Sequence, residues 1–450
     1  MAEAVRQHEV SALELVDAHL SAIERDNPRI NAFIEIYASE ARERARAPLH
    51  GPLAGVPVTV KDSFDIAGHV TNCGSLLRRG IVAERDSTVA ERLQNAGAII
   101  LGKTSAPEFL YNYETDNRLI GPTNHPWDAT RTPGGSSGGE AAAIAGFLSA
   151  GGVGSDGGGS IREPAHFCGI CGLKPTPGRV PAGGHWPEIA HPTGFMGVAG
   201  PMARSVQDTR LLFETLAGHD VRDPFSVPIA LRPASLEGLR VAVMDQLPVR
   251  PACAAAVHHA ATLLNAEGFS TIPFPFELIE GAHELWRLFF IDLLTPGVRA
   301  FIAGREDECS WTGLQLMQYV REEITTARLS ECLLQRDRMR ACLLQWMGER
   351  TVIAAPAFGV TAFPHRERDF ELMDAVRPLT PWNLLGMPAL VVPMLTGEDG
   401  MPAGVQLIGA PYAEELLLQL GERLEDARGS SWQNQTFSPS ITNSTISTTV

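Results

Sequence analysis

Lysine is almost absent: of 37 basic residues only Lys61, Lys103 and Lys174 are lysine, and the rest are arginine. Arginine therefore fills nearly every position where a generic positive charge would do. A lysine that persists in such a chain marks a place arginine cannot serve, because arginine cannot lose its proton whereas a buried lysine can. Excess positive charge is missing too. The formal net charge is −15, and no basic stripe of the kind that follows a phosphate backbone occurs, which argues against nucleic acid as a partner. Long apolar runs are also lacking. The longest weakly polar stretch, Ala141 to Gly154, is short and glycine-rich, so no membrane span is expected. The opening MAEAVRQHEVSALEL lacks the basic-then-apolar pattern of a secretory signal. Seven cysteines without that signal suit reduced thiols and a cytoplasmic location. Cys168 and Cys171 form a C-x-x-C with no second pair at zinc-site spacing, so buried inert thiols and no metal are expected.

Helix and strand signals alternate over most of the 450 residues. Ser11 and Glu14 make a capping box ahead of Leu13, Val16, Leu20 and Ile23, with Pro28 expected to close the helix. Leu53 to Val60 has the pattern of a buried strand leading into Lys61, and Ala98 to Leu101 that of another. Helices are expected over Ala90–Asn95, Val206–Ala217, Cys253–Glu267 and Glu414–Ala427. Further strands are expected at Arg240–Met244, Val352–Ala355, Ala389–Pro393 and Val405–Ile408. This alternation predicts an α/β fold, a sheet covered by helices on both faces. No linker stands out, so one domain over residues 1–428 is expected. Within it, 276–347 is helical and aromatic-rich, and 429–450 forms a polar tail.

Residues 133–160 read PGGSSGGEAAAIAGFLSAGGVGSDGGGS. So many glycines are costly unless the backbone must turn tightly or approach a ligand. A phosphate-binding loop is one reading, from Gly152-x-Gly154-x-x-Gly157, but Pro164 is expected to block the helix that motif needs. A nucleophile elbow at Gly134-x-Ser136-x-Gly138 is a second, implying an α/β-hydrolase-type esterase. It wants a buried strand before Ser136, where the chain instead has HPWDATRTP, and no histidine among His166, His185, His191 and His258 is distinguished by context. The third is a serine pair served by a lysine base. Ser136 and Ser160 each sit in a glycine cluster, Glu140 to Ala150 forms a helix between them, and Gly157-Gly158-Gly159 offers consecutive N–H donors to an oxyanion.

The same residues resemble the amidase signature family. PGGSSGGEAAAIAGFLSAGGVGSDGGGSIREPAHFCGICGLKPTPGRVP is similar to its Gly/Ser signature and GVPVTVKDSFD to its lysine block. GKTSAPEF…TDNRLIGPTNHPWD and PLTPWNLLGMPALVVP…DGMPAGVQLIG are similar to flanking and C-terminal blocks. The resemblance runs from about Ser11 to Glu425 and is weakest over Phe276–Met347. It implies a single α/β/α domain around a mixed sheet, with neither cofactor nor metal. By position it makes Lys61 the base, Ser160 the nucleophile and Ser136 a bridging serine preceded by a cis peptide. Gly157, Gly158, Gly159 and Ser160 become the oxyanion loop, Asp156 and Arg162 a scaffold for it, and Ser137 a support for Lys61. Two positions depart from the family: Gly157 replaces a side chain, suggesting a looser loop, and Glu163 places a charge where a neutral residue is usual.

The expected activity is hydrolysis of the C–N bond of amides or carbamates (urethanes), with esterase activity as a companion. The alternative is an amidotransferase A-subunit-like component working with partner subunits. Trp286, Phe289 and Phe290, with Trp311, Met317 and Tyr319, could line an apolar substrate pocket or simply be core, and both readings stand at this point. A pocket role would favour aryl or long acyl amides, small esters or carbamates over charged substrates. Oligomeric state is not legible.

Overall fold

The computed structural model describes residues 1–429; the segment from 430 onward, which holds nearly all of the expected tail, lies outside the described residues. Among the described residues eleven strands form one mixed sheet: β1 Phe33–Ile36, β2 Pro57–Lys61, β3 Ile99–Thr104, β4 Gly151–Asp156, β5 Cys171–Lys174, β6 Val198–Ala203, β7 Arg240–Val243, β8 Ser270–Pro273, β9 Thr351–Pro356, β10 Ala389–Thr396 and β11 Pro402–Ile408. Their order across the sheet is β1-β3-β2-β4-β6-β5-β10-β11-β9-β7-β8. β2 runs parallel to both β3 and β4, whereas β4–β6, β5–β6 and β10–β11 are antiparallel. Side chains alternate across a strand. Accordingly Ala242, Ile353 and Ala355 pack into one buried cluster, while Val241, Val352 and Ala354 pack into another. Helices cover both faces, which is why the inner runs Val241–Ala242 and Val352–Ala355 are apolar throughout rather than alternating with polar residues.

Several elements differ from the sequence expectation. The first long helix runs Ala12–Ile30, straight through Pro28, and ends at Asn31 in a left-handed conformation. Proline in the last turn sacrifices a single helical hydrogen bond, and the Ser11–Glu14 capping box holds the other end. Leu53–Val56 is a turn, closed by Val56 N–H donating to Leu53 O at 3.0 Å, and the strand starts only at Pro57. The helix after Ser136 spans Gly138–Ala145 and stops at Gly146, so the following Gly-rich stretch is not helix but the central strand β4. Pro164 does not block a helix: Arg162–Cys168 is helical with Pro164 in its first turn, where the missing N–H would have no helical partner anyway.

The stretch 276–347 contributes no strand. It folds as short helices (Ala282–Arg287, Leu288–Asp292, Thr295–Ile302, Trp311–Gln315) and the long helix Thr326–Met347. Cys168 and Cys171 are both buried and have separate partners, Pro133 O and Glu425, so the C-x-x-C is not a paired site. Among the described residues no helix is long and apolar enough to cross a membrane, and no His/Cys/Asp/Glu group could hold a metal ion.

Candidate active site

The site forms where β2 and β4 end side by side. Val60 of β2 pairs with Val153 of β4, which brings Lys61 next to the strand that leads to Ser160. The glycines of β4 are what this closeness requires. A Cβ on Gly152 would overlap the Glu140 carboxyl, and one on Gly154 would lie 2.7 Å from Ser137 Oγ. The strand is glycine-rich so that the helix bearing Ser137 and Glu140 can lie directly on it.

Lys61 is fully buried. Its Nζ donates to Ser136 Oγ at 2.7 Å, Ser137 Oγ at 2.9 Å and Ser155 Oγ at 3.1 Å. Burial pushes its pKa down to about 7, against the weaker pull of Cys73, Asp156 and Glu140. Ser137 is also tied to the nucleophile candidate's segment, its N–H donating to Ser160 O at 3.1 Å. The Gly135–Ser136 peptide is cis. Ser136 and Ser160 both line one cavity of about 490 Å³, and no hydrogen bond joins them among the described residues.

Asp156 and Arg162 build the loop between β4 and the next helix. Asp156 accepts from Gly159 N–H at 2.7 Å and Ile161 N–H at 3.2 Å, and from Arg162 at 3.0 and 3.1 Å. Burial alone would raise Asp156, but Arg162, Lys174 and Asn383 outweigh it and hold the carboxyl well below its usual range. The strand–glycine–helix pattern of a phosphate loop is thus present, yet its helix N-terminus is already occupied by this carboxylate. Gly159 N–H is spent on the scaffold as well. Among the described residues the N–H groups of Gly157, Gly158 and Ser160 have no acceptor, whereas that of Gly159 is held by Asp156.

At Gly157 the loop is held through its backbone. The Gly157 carbonyl accepts from Trp286 Nε1 at 3.0 Å, and the Gly158 carbonyl accepts from Tyr113 Oη at 2.9 Å. Glu163 is fully buried with one oxygen accepting from Gly135 N–H at 2.7 Å, and burial drives its pKa well up against that bond and Arg368.

The elbow reading fails on geometry. Among the described residues no strand runs directly into Ser136, and no histidine bonds either serine. His166 is held by Val360 O and Gly404 N–H, His185 Nδ1 by Pro187 O, while His191 packs on Phe225 and His258 is exposed.

The expected pocket residues divide. Phe290 lines the cavity. Trp286 and Phe289 do not: both are fully buried, Trp286 stacked behind Phe290 at 4.9 Å and Phe289 edge-on to Phe195 at 5.3 Å. Trp311, Met317 and Tyr319 are also absent from the wall, with Trp311 bonded to Asp116. Much of the wall comes from residues that sequence reasoning missed, notably Tyr111, Trp186, Ile189 and Phe301. The segment HWPEIAHPTGFM supplies several of them. Its only signal is its aromatic and proline content, which does not say which way a loop faces.

With this geometry in view, comparison with known proteins is decisive. The amidase family model matches residues 14–418. The chain belongs to the amidase family. It is a hydrolase of carbon–nitrogen bonds other than peptide bonds. It is 33% identical to an indoleacetamide hydrolase of Bradyrhizobium diazoefficiens, over 95% of this chain and 86% of that protein. It is also 33% identical to the A subunit of the glutamyl-tRNA(Gln) amidotransferase from Syntrophobacter fumaroxidans, over 93% of this chain and 94% of the other. Among solved structures, a bacterial aryl acylamidase of the amidase signature family superposes with a TM-score of 0.85 at 25% identity, covering 97% of each chain.

Proposed function

We propose that this amidase works through a Ser160 acyl-enzyme, with Lys61 as base and Ser136 as proton relay. The observation that carries this is a buried amine, with a pKa pushed down to about 7, at 2.7 Å from a serine that shares a cavity with Ser160. Neutral Lys61 takes the Ser136 proton while Ser136 takes that of Ser160, a contact that closes as substrate seats. Ser160 Oγ bonds to the carbonyl carbon, and the N–H groups of Gly157, Gly158 and Ser160 hold the oxyanion. The C–N bond breaks as the proton returns from Lys61 through Ser136 to the departing nitrogen. Water then attacks the acyl-enzyme, giving its proton back along the same path, and frees the acid and Ser160. Ser137, Asp156 and Arg162 hold these groups in place.

The substrate is a small neutral amide carrying an aryl or branched apolar group. Tyr111, Trp186, Phe290, Leu294 and Phe301 form the wall, and the charged residues on it are Asp156, already committed to Arg162, and Glu188. A carbamate or an aryl ester presents the same carbonyl to Ser160, so urethanase and esterase activities belong to the same reading. Residues 1–428 act as one amidase unit in which 276–347 supplies part of this wall.

The 33% identity to an amidotransferase component favours a second reading, a protein that draws ammonia from glutamine beside partner subunits. A free α-carboxylate would need a basic partner, and among the described residues no lysine or arginine lines this cavity. The hydrolase reading is preferred on that ground. The test is a screen of anilides, aliphatic amides, aryl esters and aryl carbamates with Ser160→Ala as blank. Ser160-dependent C–N cleavage by the lone chain is expected, and ester hydrolysis with no C–N cleavage anywhere would overturn the proposal.

A further inference from the structure

We infer that Trp286 is a positioning residue: by holding the Gly157 carbonyl it aims the Gly158 N–H as an oxyanion donor. The inference rests on the reading of Ser160 as nucleophile given above. Its starting point is the bond from Trp286 Nε1 to Gly157 O at 3.0 Å. The Gly157–Gly158 peptide is trans, so its N–H points opposite to its C=O. A carbonyl turned to the indole therefore turns the Gly158 N–H away from it, and that N–H has no acceptor among the described residues.

The indole is in turn fixed. It is fully buried, stacked on Phe290 at 4.9 Å and 16° and on His283 at 5.9 Å and 24°. The glycines match this arrangement. A Cβ on Gly158 would lie 2.5 Å from the Trp286 ring, and one on Gly157 would lie 3.0 Å from the Phe290 ring. Gly157, the departure from the family noted in the sequence, is thus the partner of these two aromatics. The Gly157 carbonyl is held by a residue of the helical stretch 276–347 and the Gly158 carbonyl by Tyr113. Phe290 faces the cavity while stacking on Trp286, so a wall residue touches the group that aims the donor.

The test uses Trp286→Phe, which keeps a ring in the stack and removes the N–H, in the full chain. The probes are 4-nitroacetanilide and the corresponding thioacetanilide. Well-aimed N–H donors favour a developing oxygen anion over sulfur, so the oxo-to-thio ratio of kcat/KM reports their aim. Because both substrates are read on one preparation, any loss of folded protein cancels. The expected result is a kcat on the anilide down about tenfold with KM nearly unchanged, and an oxo-to-thio ratio down about fivefold. An unchanged ratio, with or without a lower kcat, would overturn the inference while leaving the Ser160 reading intact, provided Ser160→Ala is inactive. Full activity in Ser160→Ala would instead remove that reading, and this inference with it.

Discussion

Lys61 and Lys103 sit on neighbouring parallel strands, and both are fully buried, but their surroundings differ in one respect. Lys103 has a carboxylate beside it, Asp62 at 3.4 Å, along with Val70 O and Thr71 Oγ1 at 2.8 Å each. Lys61 contacts hydroxyls and a carbonyl only. Burial lowers both amines, but Asp62 opposes that at Lys103, whereas nothing in contact with Lys61 carries a charge that would keep its proton on. Lys174, the third buried lysine, is pushed down to about 7 as well, yet among the described residues its Nζ meets only Pro175 O, at 3.2 Å, and no serine. Burial makes a lysine able to give up its proton; only the neighbouring groups make that useful.

The comparison breaks or holds first on Lys61→Met, for which turnover should fall by about a thousandfold or more, measured on any substrate of the screen. The same variant should be more stable than wild type. With a folded pKa below 10.5, Lys61 binds fewer protons in the folded state between about 7 and 10.5, so it costs stability that is fully felt below pH 7 and vanishes toward pH 10.5. After allowing for its lost hydrogen bonds, the gain in Lys61→Met should be roughly 2–4 kcal/mol at pH 7, shrinking as the pH is raised, by urea unfolding. A loss of stability at neutral pH would mean that Lys61 is charged in the fold as an ion-paired lysine is.

The pH profile comes next. The kcat/KM should fall about tenfold per unit below a midpoint near 7, where Lys61 becomes protonated. A midpoint above 9 would place Lys61 in the same class as an ordinary lysine. Lys103→Met should do the opposite of Lys61→Met: it strands Asp62, lowers stability by about 3 kcal/mol, and leaves kcat of the folded fraction within about tenfold. The smallest effect is expected at the rim, where Phe301 is half-exposed and packs on Phe109 and Trp186. Phe301→Ala should raise KM for an aryl amide about threefold without changing kcat.

The lysine shortage and the two glycine-flanked serines were legible in the sequence because each is a departure from ordinary composition with a chemical reason. The strand β4 was not. GGVGSD has neither the branched side chains nor the alternation of a strand, and it is one only because Glu140 and Ser137 press on it from a helix. Likewise Trp286 and Phe290 are both aromatics in one helical stretch, and nothing in their spacing separates the one that holds a backbone carbonyl from the one that faces the cavity.

By itself, then, the sequence determined the α/β alternation and the kinship with amidases and singled out Lys61, Ser136 and Ser160 as candidates, since these depend on residue type and order along the chain. Tertiary structure alone decided the distances and burial that Lys61 has beside its serines, which loop N–H groups stay free, and which aromatics form the wall. Those outcomes depend on contacts between segments far apart in the chain, such as Lys61 with Ser136 and Trp286 with Gly157. Burial and partnership, the quantities that set a pKa or aim a donor, exist only once those segments are packed together.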